Sequence, residues 1–520
     1  MLETLAAGIP LFPLVAALLI AAGMISGRLG GEAGECYTRR LALGAAMSSA
    51  IALLIVIGLR TRAAMLPHLR LGTWIASGRH RIDCSLTLDA LSLSFAMLIL
   101  LLGIAVLRFS GSYMHREPGF HRYFLVMSLF IGAMLILALG GNGLLTFAGW
   151  EIAGVCSFLL IGYTHERPVA VANASRAFLT NRVGDIGFLL GLLLAVVWIG
   201  DLEWPKLLHA ARKLQPLAAT GLALCFLLAA AVKSAQLPFT PWVTRAMEGP
   251  TPSSALFYGA VMIHAGAFLA LRLQPLFEHS VPAMSCLVAV GALTACYGFL
   301  TGLTQTDVKS SLIFATVAQI GLIFLACGLG WWTFATVHLF AHAVVRGFQF
   351  MSAPSLMHRV AARPMRPVPA FLAHRPGLYH AALQRFWIEA ATDRWIVAPV
   401  QRIAADVERF DREVVERIVG LPVPALGSLS SAAAWEESRL AATGGSGPDA
   451  REAGGVIRWM AHQLAVALHW FEEKLVLQGV GADLWKGFRR FGQRLRAVDE
   501  ALCRPRYLIL LVIATLLSVK

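Results

Sequence analysis

Charged residues are scarce in this sequence. They make up 14% of the 520 residues, whereas an average soluble domain carries about 25%. Hydrophobic residues reach 57%. This balance excludes an ordinary soluble globular domain and indicates a chain whose solvent is a lipid bilayer.

Paired cysteines and a basic nucleic-acid surface are also missing. The 8 cysteines are scattered without a C-x-x-C pair, which argues against an iron–sulfur cluster or a structural zinc site. The net charge is +14, but no basic stripe is interleaved with stacking aromatics, so we expect no nucleic-acid partner. We attribute the basic excess to loops and surface helices that face anionic lipid.

Long apolar runs dominate what is present. A membrane helix needs roughly 20 predominantly apolar residues, and the sequence offers about 12 such segments. They begin near Ile9, Leu41, Leu88, Tyr123, Gly143, Val183, Pro216, Ser254, Val281, Ser310, Trp331 and Tyr507. The start, MLETLAAGIP, lacks the basic region of a cleavable signal peptide and predicts a retained first helix. We therefore expect an all-α, multi-pass membrane protein.

The chain divides into unequal parts. The apolar runs of residues 1–355 predict a transmembrane domain with short loops. Residues 356–503 predict a linker and amphipathic, peripheral helices, with a flexible Ala/Ser/Gly-rich loop near 424–455. Residues 504–520 predict a C-terminal transmembrane or membrane-anchoring helix.

Ionisable residues interrupt several of these apolar runs. Such residues are costly in a membrane and are functional by default. They are Glu151, Arg182, Asp185, Lys233, Glu248, His264, Lys309, His338, His342 and Arg346. Each one alone is as compatible with a static role, as an ion pair or a hydrogen bond between helices, as it is with a functional role. Because Glu151, Lys233 and His342 lie in three separate long spans, a proton path is the stronger interpretation.

Lys233 precedes two prolines, Pro238 and Pro241. Proline lacks the amide hydrogen that continues a helix, so this span should unwind there. Unwound backbone at membrane depth is tolerated only where protein or a water-filled cavity satisfies it. The pattern predicts a proton-carrying lysine beside a helix break.

His338 and His342 are four residues apart, on one helical face. HLFAH lacks the acid of the H-E-x-x-H zinc motif and has no third ligand near it, so a polar or proton-relaying role fits better than zinc. Arg346 cannot release its proton and serves only to tune or pair with a neighbour. Lys309 follows Asp307, a candidate N-cap, and is either part of the path or an interfacial side chain.

Five segments together resemble the antiporter-like membrane subunits of respiratory complex I, especially subunit L, and of Mrp-type antiporters. They are WEIAGVCSFLLIGY, NRVGDIGFLLG, KSAQLPFTPWVTRAMEGPTPSSAL, QTDVKSSLIFATVAQIG and HLFAHAVVRGFQF. The resemblance implies that Glu151 and Lys233 are the conserved glutamate and broken-helix lysine of the family. It further implies that Arg182 and Asp185 tune that glutamate. Lys309, His338 and His342 would form the central relay, with Arg346 where the family often has lysine.

After Ser355 the sequence departs from complex I subunits, because the second broken helix with its lysine is missing. Tyr258 also stands where the family has a histidine, although His264 lies two turns later. AHAVVRGFQFMSAPSLMH and the ending LCRPRYLILLVIATLLSVK instead resemble DabB, the membrane subunit of a bacterial inorganic-carbon transporter. That resemblance implies a DabA-like zinc partner related to β-carbonic anhydrases.

The expected function is therefore translocation of protons, or alternatively sodium, that energises carbon dioxide or bicarbonate uptake. Hydration chemistry would belong to the partner, so the chain itself is expected to be a transporter subunit without its own cofactor or metal. One alternative is a proton-pumping subunit of a complex I-type oxidoreductase or a membrane-bound hydrogenase. Another is a structural anchor whose charges are static pairs.

Overall fold

The protein was analysed as a computed structural model that describes residues 2–63, 68–77, 80–360 and 368–410. The predicted all-α, multi-pass membrane architecture is confirmed. Ten helical segments in this part of the chain are long and apolar enough to cross a membrane. They are α1 (Leu2–Ile25), α2 (Gly31–Ala63), α3 (Ala90–Tyr113), α4 (Phe120–Leu139), α5 (Gly143–Ile161), α6 (Pro168–Trp198), α8 (Pro216–Lys233), the segment Thr251–Arg272, α13 (Val281–Gly302) and α14 (Val308–Gly328).

The eleventh predicted span corresponds to α15 (Trp332–Val360). This helix runs five residues beyond the domain boundary predicted at 355 and contains Pro354. The first residues assigned to a linker are therefore helical. The predicted flexible loop, the helices of 456–502 and the last span at 504–520 lie outside the described residues.

Side-chain caps determine where four of the long helices begin. Asp89, Asn142, Ser280 and Asp307 each accept a hydrogen bond from the backbone N–H three residues later, at 2.8 to 3.2 Å. Such a cap satisfies one of the N–H groups left free at a helix start. The caps therefore fix the start of α3, α5, α13 and α14.

A β-hairpin between α2 and α3 was not predicted. Strands β1 (His68–Ser77) and β2 (His80–Thr87) pair antiparallel. Glu203, just before the short helix α7 (Trp204–Ala211), holds the hairpin to the membrane domain. Its carboxylate accepts a hydrogen bond from the Ser85 hydroxyl at 2.7 Å and lies 2.9 Å from His68 Nε2.

The span that contains Lys233 is broken, as the prolines predict, but the break starts earlier. Helix α8 ends at Lys233, five residues before Pro238, and the chain is irregular up to Thr240. The Leu237–Pro238 peptide bond is cis. Pro241 opens the next helix, α9 (Pro241–Arg245), at a position where its missing N–H is tolerated. A 3₁₀ turn, Ala246–Glu248, completes the span.

The next span is irregular as well, and the sequence did not predict this. It consists of α10 (Thr251–Ser254), a π-helical turn (Ala255–Ala260), a 3₁₀ turn (Met262–His264) and α11 (Ala265–Arg272). Every residue of this span, Thr251–Arg272, is buried inside the protein. Neighbouring helices, and not lipid, therefore surround its irregular backbone, as the bilayer requires.

An ion pair anchors the far end of this irregular span. The buried Arg272 guanidinium donates to both carboxylate oxygens of Asp89 and to Ser92 Oγ. Burial alone would raise the pKa of Asp89, but the hydrogen bonds and positive charge of Arg272 outweigh burial and lower the pKa. The carboxylate therefore stays ionised and ties α11 to the start of α3.

Short helices follow in both compact units of the chain. The first unit includes the described residues up to Ile388. It holds α12 (Gln274–Glu278), α16 (Ala370–Ala373), α17 (Pro376–Leu383) and a 3₁₀ turn (Arg385–Trp387). In the second unit, residues after α18 (Ile388–Thr392) form a π-helical turn (Asp393–Val397) and α19 (Ala398–Phe410). Trp395, Ile403 and Val407 are exposed there, which fits the predicted amphipathic character.

Helices α13 and α14 cross at very close range through glycines. A Cβ added at Gly321 would lie 2.5 Å from the backbone nitrogen of Ala295 and 2.8 Å from the carbonyl oxygen of Gly291. Gly291, Gly298 and Gly328 are equally confined by the backbone of the opposite helix. Small residues at such crossings allow backbones to pack without intervening side chains.

We expect Gly321→Ala to lower the free energy of unfolding by about 1–3 kcal/mol, because the added methyl forces the two backbones apart. Thermal unfolding in detergent, followed by circular dichroism, measures the change. The matched control is Gly44→Ala in α2, where an added Cβ meets nothing within 4 Å. Equal melting temperatures for the two variants would show that the crossing of α13 and α14 accommodates a methyl group, and would contradict the expected destabilisation.

Candidate functional site

Two groups of ionisable side chains, together with the polar and aromatic residues that contact them, lie inside the membrane domain. We call the first the lysine cluster; its members are Trp150, Glu151, Arg182, Asp185 and Lys233. We call the second the histidine cluster; its members are His264, Gln319, His338, His342, Arg346 and Gln349. Each cluster brings together residues from helices that are distant in sequence.

Lys233 is the last residue of α8, and it is only 1% exposed. Its Nζ donates a hydrogen bond to the Trp150 carbonyl oxygen at 3.1 Å and lies 4.9 Å from the centroid of the Trp150 ring. Gly154 lies against the amine, since a Cβ there would be 3.4 Å from Nζ. Among the described residues, no carboxylate forms an ion pair with this amine.

Arg182 joins the two carboxylates of the lysine cluster. Its Nη1 donates to Glu151 Oε2, and its Nη2 lies 2.8 Å from Asp185 Oδ2. Asp185 Oδ1 accepts a hydrogen bond from Trp150 Nε1 at 2.8 Å. Because Arg182 and Asp185 are three residues apart on α6, they share one helical face.

The charges of the lysine cluster depend on a single proton. With both carboxylates ionised, the cluster is neutral when Lys233 is protonated and carries one net negative charge when Lys233 is neutral. Interactions between charges are strong at low dielectric. Any shift of Arg182 relative to Glu151 or Asp185 therefore changes how readily Lys233 holds its proton.

In the histidine cluster, two imidazoles from different spans meet directly. His264 Nε2 and His342 Nδ1 are 2.9 Å apart. His338, one turn before His342 in α15, places its Nε2 2.8 Å from Gln319 Oε1 of α14. Arg346 lies one turn after His342 and donates to His342 Nε2 at 3.5 Å and to Gln349 Oε1 at 2.8 Å.

The two clusters adjoin through the irregular backbone of both spans. Ser234, next to Lys233, donates its hydroxyl hydrogen to the carbonyl oxygen of Ile263, next to His264, at 2.6 Å. Among the described residues, the buried atoms Gln236 Oε1 and Thr240 Oγ1 have no hydrogen-bond partner. Buried polar atoms normally bond to protein or to ordered water. These atoms offer hydrogen-bonding positions on the broken segment.

Three other predicted residues lie apart from both clusters. Glu248 is 3.2 Å from Arg167 in an ion pair near the start of α6. Asp307 caps α14, and Lys309 lies in the first turn of that helix. Among the described residues, no hydrogen bond or ion pair connects Lys309 to either cluster. Its membership in a proton path stays a prediction.

Sequence reasoning missed four contributors to the site. Trp150 acts through its backbone carbonyl and its ring, and Ser234 acts through a hydroxyl, so neither carried a local signal. Gln319 and Gln349 are polar residues within apolar helices, and that contrast was a usable signal. Tyr258, which stands where a histidine was expected, binds Ser157 through the two hydroxyl groups at 2.9 Å.

Comparison with known families gives two matches. Residues 140–387 match the transmembrane family described as NADH:quinone oxidoreductase/Mrp antiporter. Residues 74–124 match the family described as NADH-ubiquinone oxidoreductase (complex I), chain 5 N-terminus. Both clusters fall within the first match.

Curated relatives point the same way. NADH-quinone oxidoreductase subunit L of Mycobacterium tuberculosis is 36% identical over 293 residues, which cover 56% of this chain and 46% of the relative. The chloroplast NAD(P)H-quinone oxidoreductase subunit 5 of Nephroselmis olivacea is 34% identical over 371 residues, covering 70% and 56%. The chain thus spans about half the length of the curated relatives it matches.

Solved structures share the fold. A chain of the Mrp complex from Dietzia sp. DQ12-45-1b superposes with a TM-score of 0.59 at 23% identity, covering 99% of this chain and 62% of that one. A chain of the membrane-bound sulfane sulfur reductase, an archaeal respiratory membrane complex, gives 0.57 at 20% identity, covering 73% and 61%.

We expect Arg182→Gln to lower the free energy of unfolding by about 2–3 kcal/mol, because it leaves two carboxylates without their cation. The estimate lies below the roughly 3–5 kcal/mol of a fully buried pair because Arg182 is partly exposed. Reversible unfolding in detergent and mixed micelles measures it. The double variant Arg182→Gln/Glu151→Gln should recover part of the loss. A double variant as unstable as the sum of both single variants would contradict the ion-pair explanation.

Proposed function

Because this chain belongs to the antiporter-like membrane subunit family of complex I (subunit L/5) and Mrp antiporters, we propose that it translocates protons, with Lys233 as the titrating group. The observation that carries this proposal is the place of Lys233. It is a buried amine that forms no ion pair with any described residue, at the end of a broken helix and beside Glu151, Arg182 and Asp185.

Loading of Lys233 depends on the carboxylates in this proposal. A proton binds the neutral amine to give an ammonium ion, which the Trp150 carbonyl and ring stabilise. Release of Glu151 from Arg182 exposes the negative charge of Glu151 and favours the ammonium form. Return of Arg182 to Glu151 restores the paired state and favours proton release.

Onward transfer follows the irregular backbone. The Ser234–Ile263 contact places the residue after Lys233 against the residue before His264. His264, His342 and His338 then offer imidazole nitrogens in sequence along two spans. Imidazole both accepts and donates protons, which suits a relay. Lys309, in the first turn of α14, would continue the path beyond the histidines in this proposal.

The chain is a subunit of a larger membrane complex in this proposal. Its relatives are named as quinone oxidoreductase subunits, and the chains of similar fold come from an Mrp complex and an archaeal respiratory complex. These names favour a complex I-type, redox-driven assembly over the inorganic-carbon role that the sequence analysis placed first. A bacterial inner membrane is the proposed location.

Inorganic-carbon uptake remains the second candidate. Its support is the segment AHAVVRGFQFMSAPSLMH, which lies within α15 and resembles DabB. In that case a DabA-like zinc protein would be the partner, and proton flow through the lysine cluster would energise its chemistry.

We expect Lys233→Ala to abolish proton translocation while the assembled complex remains intact, because no other described side chain offers an amine beside Trp150. Dye-monitored acidification of proteoliposomes that contain the full complex measures it, in sodium-free and in sodium-containing buffer. The matched control, Lys206→Ala, removes an exposed lysine that pairs with Asp201. Unimpaired transport by Lys233→Ala would rule out the proposed role.

The partner is identified by co-expressing the chain with its genomic neighbours. In a carbonic-anhydrase-deficient host, growth in air that a protonophore abolishes would support inorganic-carbon uptake. Membrane acidification driven by quinone reduction would support the oxidoreductase assembly instead. Lys233→Ala should eliminate whichever activity is found. If the activity survives replacement of both Glu151 and Lys233 by apolar residues, the chain is a structural anchor whose charges are static pairs.

A further inference from the structure

Arg346 is a buried cation whose described partners are all neutral. It is 8% exposed, and its hydrogen bonds go to Gln349 Oε1 at 2.8 Å and His342 Nε2 at 3.5 Å. Among the described residues, no carboxylate pairs with it. This contrasts with Arg182 and Arg272, which both bind carboxylates. A guanidinium group has five N–H donors, no acceptor and a proton that it does not release in proteins.

The position of Arg346 determines where the protons of the histidine pair lie. Its Nε–H faces His342 Nε2, and two N–H groups cannot face each other favourably, so Nε2 must carry the lone pair. A neutral imidazole then has its proton on Nδ1. The fixed charge of Arg346 also disfavours a second positive charge on His342.

The same logic extends to His264. Since His342 Nδ1–H donates across the 2.9 Å contact, His264 Nε2 must accept. Neutral His264 therefore carries its own proton on Nδ1. All hydrogen bonds in this row point from Arg346 towards His264.

We infer that Arg346 is a positioning residue that locks the His264–His342 pair in one tautomeric arrangement and thereby closes the pair to passive proton flow. A proton arriving from the side of Lys233 meets an N–H on His264 instead of a lone pair. At the other end, the guanidinium covers the lone pair of His342. Both ends of the pair are closed while Arg346 stays in place.

Opening requires Arg346 to move away from His342 Nε2. The hydrogen bond to Gln349, one turn further along α15, gives the guanidinium a second attachment during such a movement. Once Nε2 is released, both imidazoles can exchange donor and acceptor roles. The latch role rests on the proposed function, whereas the tautomer assignment does not.

The tautomers are tested by solid-state NMR of the full chain, labelled with ¹⁵N-histidine and embedded in lipid bilayers. The chain has 15 histidines, so spectra of His264→Gln and His342→Gln assign the two signals. We expect Nδ1–H and unprotonated Nε2 at both residues in the wild type. Arg346→Met should abolish this single form. A wild-type His342 protonated on Nε2 would overturn the inference, whatever the variants do.

The latch is tested by passive proton influx into proteoliposomes under an imposed membrane potential without any driving reaction. We expect Arg346→Met to raise the influx by about tenfold, the effect of losing one hydrogen bond to a charged group. Arg346→Lys keeps a cationic donor without an acceptor, so influx should stay near the wild-type rate. Unchanged influx in Arg346→Met would overturn the latch.

The matched control is Arg122→Met. Arg122 of α4 is 7% exposed, binds the Tyr163 carbonyl and lies outside both clusters. We expect it to change neither the influx nor the histidine signals. Equal leakage in both methionine variants would show general loosening and contradict the latch. If Lys233 does not carry protons, the leak no longer reports on a proton path, but the tautomer assignment is still valid. The NMR experiment and the Lys233→Ala experiment therefore test the two proposals separately.

Discussion

Burial of the Lys233 amine within the membrane domain is the constraint on which the rest of the structure depends. A charged group in the bilayer is costly unless protein or water compensates it. Here the compensation comes from the Trp150 carbonyl and ring, and from two carboxylates that Arg182 holds nearby. Helix α8 ends at that same lysine. The amine thus sits where backbone groups, polar side chains and a change of chain direction coincide.

Two neighbouring spans are irregular, and their irregular segments lie in the same part of the domain. One is irregular from Ser234 to Thr240, the other from Ala255 to His264, and they touch through Ser234 and Ile263. Irregular backbone survives at membrane depth only where protein or a hydrated cavity satisfies it. Placing the two segments side by side lets each span satisfy part of the other. It also brings the lysine cluster next to the histidine cluster.

Three arginines of the membrane domain perform different tasks with the same permanent charge. Arg182 balances Glu151 and Asp185, and Arg272 ties α11 to Asp89. Among the described residues, Arg346 contacts only neutral partners. No carboxylate there compensates its charge, which therefore acts on the neighbouring His342. Because arginine stays protonated, these residues set the field in which lysine and histidine protons move. The exchangeable protons and the fixed charges are thus divided between different residues.

The sequence by itself determined the number of described spans and the approximate place of most of them, because apolar length is a local property. It did not determine their bounds, since α2 begins at Gly31 instead of near Leu41 and α6 begins at Pro168 instead of near Val183. The sequence also showed which ionisable residues interrupt those spans, and that the one with Lys233 breaks. Only the tertiary structure decided that the break begins at Ser234, that the next span is irregular, and that a hairpin packs on Glu203. Likewise, nothing local pairs His264 with His342, which are 78 residues apart. Such pairings depend on how helices cross and rotate against one another, and close contacts such as those at Gly321 fix that geometry.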